Sequence, residues 1–109
     1  MQHIFKAVCA GVLMITMTAS YAFQVEVKAN TRKIMALGFT VNGERHGGLG
    51  SSYKAKNMVC GEYEFGIRKS GKDISCLTKD GKTKVKLVKD THVLLNLTDG
   101  HCTVVLDPK

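Results

Sequence analysis

The sequence predicts an all-β fold, a small antiparallel β-sandwich of about seven strands, with a closed β-barrel as second choice. Three observations carry this. Apolar and polar residues alternate with period two through most of residues 23–107, as half-buried strands do. Turn pairs punctuate that alternation at near-regular intervals. No segment beyond residue 22 shows a convincing helical period.

Residues 1–22 read as a cleavable signal peptide. His3 and Lys6 form a weakly basic start, and residues 7–17 are an uncharged apolar run. Ser20-Tyr21-Ala22 places small residues at the −3 and −1 positions of a cleavage site, so the mature chain begins at Phe23. The run is too short to span a bilayer, which needs ~20 residues. Residues 23–109 then form a single domain, exported to a periplasm or secreted. Removing the leader takes one of 16 basic residues and none of 9 acidic ones, so the domain stays basic at a formal +6. A domain of this size has a marginal core, and exported domains of this kind often add a disulfide.

The strands follow in order. Phe23, Val25 and Val27 share one face of the first run. Residues 33–41 form the second and end at the turn Asn42-Gly43. A Gly-rich loop follows, with His46, Gly47, Gly48, Gly50 and Ser51 as its candidate binding residues. Residues 62–69 direct Tyr63, Phe65 and Ile67 inward. Runs at 73–79, 82–88, 91–98 and 101–107 complete the set, separated by Ser70-Gly71, Asp80-Gly81, Lys89-Asp90 and Asp99-Gly100. Asp-Gly between alternating runs is a hairpin signal because both central residues need φ > 0. The registers these turns impose pair apolar with apolar: Ile67 with Ile74, Phe65 with Cys76, Cys76 with Val85, Leu97 with Cys102, Leu95 with Val104. A slip by one would turn each set to solvent. Lys89-Asp90 needs a third loop residue to set Leu87 against Val93. The last five strands are expected as one continuous meander. The apolar face must then close on itself or on a second sheet.

Three of the chain's four cysteines lie beyond the leader: Cys60, Cys76 and Cys102. Cys76 and Cys102 both fall on inward positions and are expected to bridge across the core. Phe65 lies opposite Cys76, which puts Cys60 about five residues, or ~16 Å, further along its strand. A disulfide needs Cα atoms within about 7 Å, so Cys60 and Cys76 do not pair. The odd number leaves the role of Cys60 open.

His46, His92 and His101 read as surface histidines. No H-x-x-x-H or C-x-x-C spacing exists, so no metal site and no cofactor is expected. The Gly-rich loop lacks the spacing and following helix of a phosphate cradle. No nucleophile, base and orienting group can be assembled, which points away from an enzyme. Lys82, Lys84 and Lys86 alternate along one run and share a face, to which Arg68 adds. That stripe suits an anionic partner, either a glycan or a lipid surface. It lacks the aromatics of a nucleic-acid platform, so nucleic acid is the least favoured partner. The expected function is a non-enzymatic binding module acting through the basic face or the Gly-rich loop. The alternative is a protein inhibitor that inserts residues 44–52 into an enzyme.

Overall fold

A computed structural model describes residues 22–108. They form nine strands and no helix: β1 (Phe23–Ala29), β2 (Ala36–Val41), β3 (Glu44–Leu49), β4 (Ser52–Met58), β5 (Gly61–Lys69), β6 (Lys72–Leu77), β7 (Val85–Leu87), β8 (Thr91–Thr98) and β9 (His101–Pro108). The sheet runs β3-β2-β5-β6-β9-β8-β1-β4, with β7 on β5 off that path. The path's two end strands, β3 and β4, are joined directly by Gly50-Ser51. The sheet therefore curls until its ends meet at a corner, giving a nearly closed barrel rather than a sandwich.

Three of the expected turns form as the sequence requires. Asn42-Gly43, Ser70-Gly71 and Asp99-Gly100 each hold both central residues at positive φ, between 52° and 82°. This is the type I′ geometry that matches strand twist. The expected hairpin pairs Ile67 with Ile74, Leu97 with Cys102 and Leu95 with Val104 form, and Val93 faces Leu106 in the same register.

The continuous meander does not form. At Asp80-Gly81 only Gly81 has positive φ. Thr78 builds this turn instead: its hydroxyl donates to Asp80 Oδ1 (2.6 Å) and accepts from Lys82 N (3.0 Å), while Thr78 N donates to Lys82 O (2.8 Å). A side-chain-built loop has no need of the hairpin register. Strand β6 leaves β5 after Ser75 to pair with β9 through Cys76 and Leu77. The edge of β5 thus vacated is taken by β7, which sets Val85 against Tyr63 and Leu87 against Gly61. The expected pairs Phe65–Cys76, Cys76–Val85 and Leu87–Val93 are therefore absent. Two strand pairs are parallel, β1 with β8 and β6 with β9.

Strands β3 and β4 account for the rise from seven to nine. Glycines at 47, 48 and 50 mask the alternation there. The core that all nine enclose contains the expected Ile67, Leu87, Val93, Leu95 and Val104, with Ile74 packed at its margin. Phe39 is its aromatic centre, with ring centroids 5.3 Å from Tyr63, 5.5 Å from Phe65 and 6.2 Å from Tyr53. The buried Tyr63 hydroxyl donates to Val59 O at 2.5 Å.

Candidate functional site

Cys76 and Cys102 are joined by a disulfide, with Cα atoms 4.5 Å apart. The bridge does not cross the core. The two cysteines face each other on neighbouring strands, in register on β6 and β9. Cys60 is buried, and no described cysteine is free.

The lysine stripe does not exist as one strand face. Only Lys86 lies on β7, opposite Glu62. Lys82 and Lys84 sit in the connection before it, and Lys82 Nζ lies 3.9 Å from Asp80 Oδ2. Arg68 is on β5, six residues beyond the partner of Lys86, or ~20 Å along the strand. Its Nη1 is bound to Asp73 Oδ1 at 3.2 Å. Alternation in sequence gives one face only within a strand, and the Thr78 turn keeps residues 78–84 out of one.

The Gly-rich segment is not a loop either. His46, Gly47 and Gly48 lie within β3, and only Gly50 and Ser51 form a connection. His46 faces inward, half-buried and stacked on Phe39 at 5.3 Å. Its Nε2 lies 3.5 Å from Glu44 Oε1 without making a hydrogen bond. The glycines answer a packing demand. A Cβ on Gly38 would stand 2.4 Å from His46 O, and one on Gly47 would stand 2.6 Å from Leu37 O. Gly47, Gly38 and Gly66 form one cross-strand row over β3, β2 and β5. That row floors an open groove of about 590 Å³ on the outer face.

What the fold gathers instead is a cationic end. Arg32 and Lys33 lie on the connection between β1 and β2, and Arg68, Lys69 and Lys72 on the β5–β6 hairpin. The two segments meet where Met35 N donates to Arg68 O at 2.8 Å. Ala36 pairs with Leu49 on one side and Arg68 on the other, bringing the tip of β3 alongside. Gly50 N closes the cluster by donating to Met35 O at 2.8 Å. Two acids lie at this end. Asp73 is held by Arg68, and Asp99 is at the tip of the β8–β9 hairpin. Five cations from two distant segments thus share one end of the barrel.

No family of known proteins, no curated protein and no solved structure matches this chain. Its chemistry must be read from its own residues.

The mount of the cationic end is firm. Asn30 ties the start of the 30–35 connection to β8: its Nδ2 donates to Asn96 Oδ1 (2.8 Å), and its Oδ1 accepts from Leu97 N (2.8 Å). Ala29 N donates to Ser51 O at 2.9 Å. Among the described residues no three His, Cys, Asp or Glu side chains converge as metal ligands. Two groups titrate away from their ordinary range. The Thr78 hydroxyl, the backbone at Asp80 and the Lys82 charge hold the Asp80 carboxyl below the usual carboxylate range. Burial pushes the Tyr63 phenol up to about 12. Neither group lies at the cationic end. The sequence reading sets Lys33 and Met35 inside the second strand and gives Arg32 no role; the strand begins only at Ala36, so all three lie on the connection between β1 and β2, where alternation has nothing to say.

Proposed function

We propose that this chain is a small, exported, non-enzymatic binding module that holds an anionic partner at its cationic end. The observation that carries the reading is the convergence of Arg32, Lys33, Lys69 and Lys72 beside an Arg68 whose acid is already engaged. Grouped like charges raise the local concentration of an oppositely charged partner. Export is supported by the leader pattern at residues 1–22 and by a disulfide, which suits an oxidising compartment.

The test compares one quadruple and one triple variant on a sulfated polysaccharide column. Arg32→Gln, Lys33→Gln, Lys69→Gln and Lys72→Gln together should abolish retention at low salt. Lys82→Gln, Lys84→Gln and Lys86→Gln together should weaken it less. Raising salt on the wild type should reproduce the first result, since the screening length falls to ~3 Å at 1 M. A wild type that passes unretained at low salt would sink the reading.

The inhibitor alternative keeps one supporting observation: Leu49 projects from the corner at Gly50-Ser51. An enzyme holding that side chain in a cleft would do so with little dependence on salt.

A further inference from the structure

We infer that the anionic partner is a lipid surface, and that Leu49 and Met35 are the tip that enters it; this rests on the reading above that the cationic end binds an anionic partner. Leu49 is 85% exposed and Met35 53%, more than any other large apolar side chain described. They are neighbours in space although 14 positions apart in sequence, linked by the hydrogen bond from Gly50 N to Met35 O. Leu49 stands on the outer face of β3 opposite Ala36, next along that face from Gly47. It has no core to join. Exposed apolar side chains gathered at one barrel end mark a contact with something apolar.

The charges around them complete the chemistry. Arg32 and Lys33 lie just before Met35 in the chain, and Lys69 and Lys72 face each other across the adjoining hairpin. Aliphatic tips beside a group of cations at one barrel end match the layers of an anionic bilayer. Head-group phosphates meet the lysines and arginines, and acyl chains meet the tip ~5–10 Å deeper. A soluble polyanion would use the charges and leave Leu49 and Met35 in water. Nucleic acid would require stacking aromatics, and the residues gathered here, Arg32, Lys33, Met35, Leu49, Lys69 and Lys72, supply none. The mount suits shallow insertion. Asn30 bonds to β8, Met35 bonds to β5 and Gly50 bonds back to Met35, so the tip enters without a segment having to be ordered first.

The experiment uses the chain from Phe23 with vesicles of phosphatidylcholine, with and without phosphatidylglycerol, and with a sulfated polysaccharide in parallel. The wild type should bind the phosphatidylglycerol vesicles and the polysaccharide. Leu49→Ser with Met35→Ser should lose about tenfold or more in vesicle affinity while keeping its polysaccharide affinity. Each lysine or arginine changed to Gln should cost about fivefold on vesicles. The chain has no Trp, so Leu49→Trp supplies a single depth probe. Its emission should shift to the blue with phosphatidylglycerol vesicles and be quenched by brominated acyl chains. Unchanged vesicle binding by the double Ser variant, or a Trp emission that does not move, overturns the lipid inference while leaving the anionic-partner reading standing. Absence of binding to both vesicles and polysaccharide at low salt overturns both.

Discussion

At Gly38 the backbones of β2 and β3 come so close that a single methyl group decides whether the corner can form. Its Cβ would sit 2.4 Å from one backbone atom and 2.9 Å from another, neither of which can swing away as a side chain could. Gly38→Ala should therefore cost ~2 kcal/mol or more in urea unfolding. Gly48→Ala is the control. There the nearest atom is a Tyr53 ring carbon at 3.4 Å, an ordinary contact, and the change should stay within ~1 kcal/mol. Equal costs at the two sites would refute the close-approach argument. Tyr63 supplies a pH dependence with a definite sign. Its phenol has an ordinary value of 10.0 and is raised to about 12 by burial, so folding favours the neutral form. The stability it contributes is complete below pH ~10 and is lost as pH rises through ~12. The two values differ by the equivalent of roughly 3 kcal/mol. Denaturant midpoints of wild type and Tyr63→Phe should diverge from each other across that window. Parallel curves would show that the phenol ionises as freely in the folded chain as in the unfolded one.

The weakest link among the elements is between β6 and β9. Only two residue pairs join them, Cys76–Cys102 and Leu77–Thr103, against eight between β8 and β9. This short parallel contact is what connects β3-β2-β5-β6 to β9-β8-β1-β4. The disulfide sits at that contact and holds the barrel shut. It closes a separation of 26 residues, for which chain entropy predicts about 3–4 kcal/mol. Reduction, or Cys76→Ser with Cys102→Ser, should lower the melting temperature. Hydrogen exchange should then speed first at Cys76, Leu77, Cys102 and Thr103, ahead of β8. Uniform acceleration through every strand would show that the contact is no weaker than the rest. Asn30 plays a comparable part for β1 and β8, since its side chain continues their pairing past Ala29. Asn30→Ala removes an exposed partner of Leu97 N and should cost about 0.5–1.5 kcal/mol. Asn30→Asp keeps the acceptor for Leu97 N and should recover part of the loss.

For the molecule as a whole, a barrel end that carries five cations requires a chain free to present it. The leader reading sets the first test. Residues 1–21 lie outside the described structure, and the signal-peptide pattern predicts that exported protein begins at Phe23. Intact-mass measurement of protein from the envelope or medium decides this, and a mass retaining residues 1–22 would remove the export argument. The β1 strand starts with Phe23, whose side chain is buried in the core. Cleavage between Ala22 and Phe23 would thus keep every described core side chain, whereas cleavage even one residue later would cost the core Phe23.

Local physics decided a large part of this protein without help from the tertiary fold. Period-two alternation placed Val25, Val27, Tyr63, Phe65, Ile67, Val93 and Leu95 inward, because a side chain one position out of phase would be in water. Asn-Gly, Ser-Gly and Asp-Gly pairs set three hairpins, because few other dipeptides accept two positive φ values. The inward parity of Cys76 and Cys102 was legible, and so was their bond, although not its route. What neighbours what was not legible. The period of a strand says which way its side chains point and nothing about which strand lies alongside. The Thr78 side chain overrode the Asp80-Gly81 signal, sent β6 to β9 and β7 to β5, and so dissolved the lysine stripe. The glycines of β3 hid a strand, because they carry no side chain to alternate, and at Gly47 the close backbone of β2 leaves no room for one. The cationic end with Leu49 and Met35 exists only because the curled sheet sets residues 32–35, 49 and 68–72 side by side, a proximity made by hydrogen bonds between segments that share no local pattern.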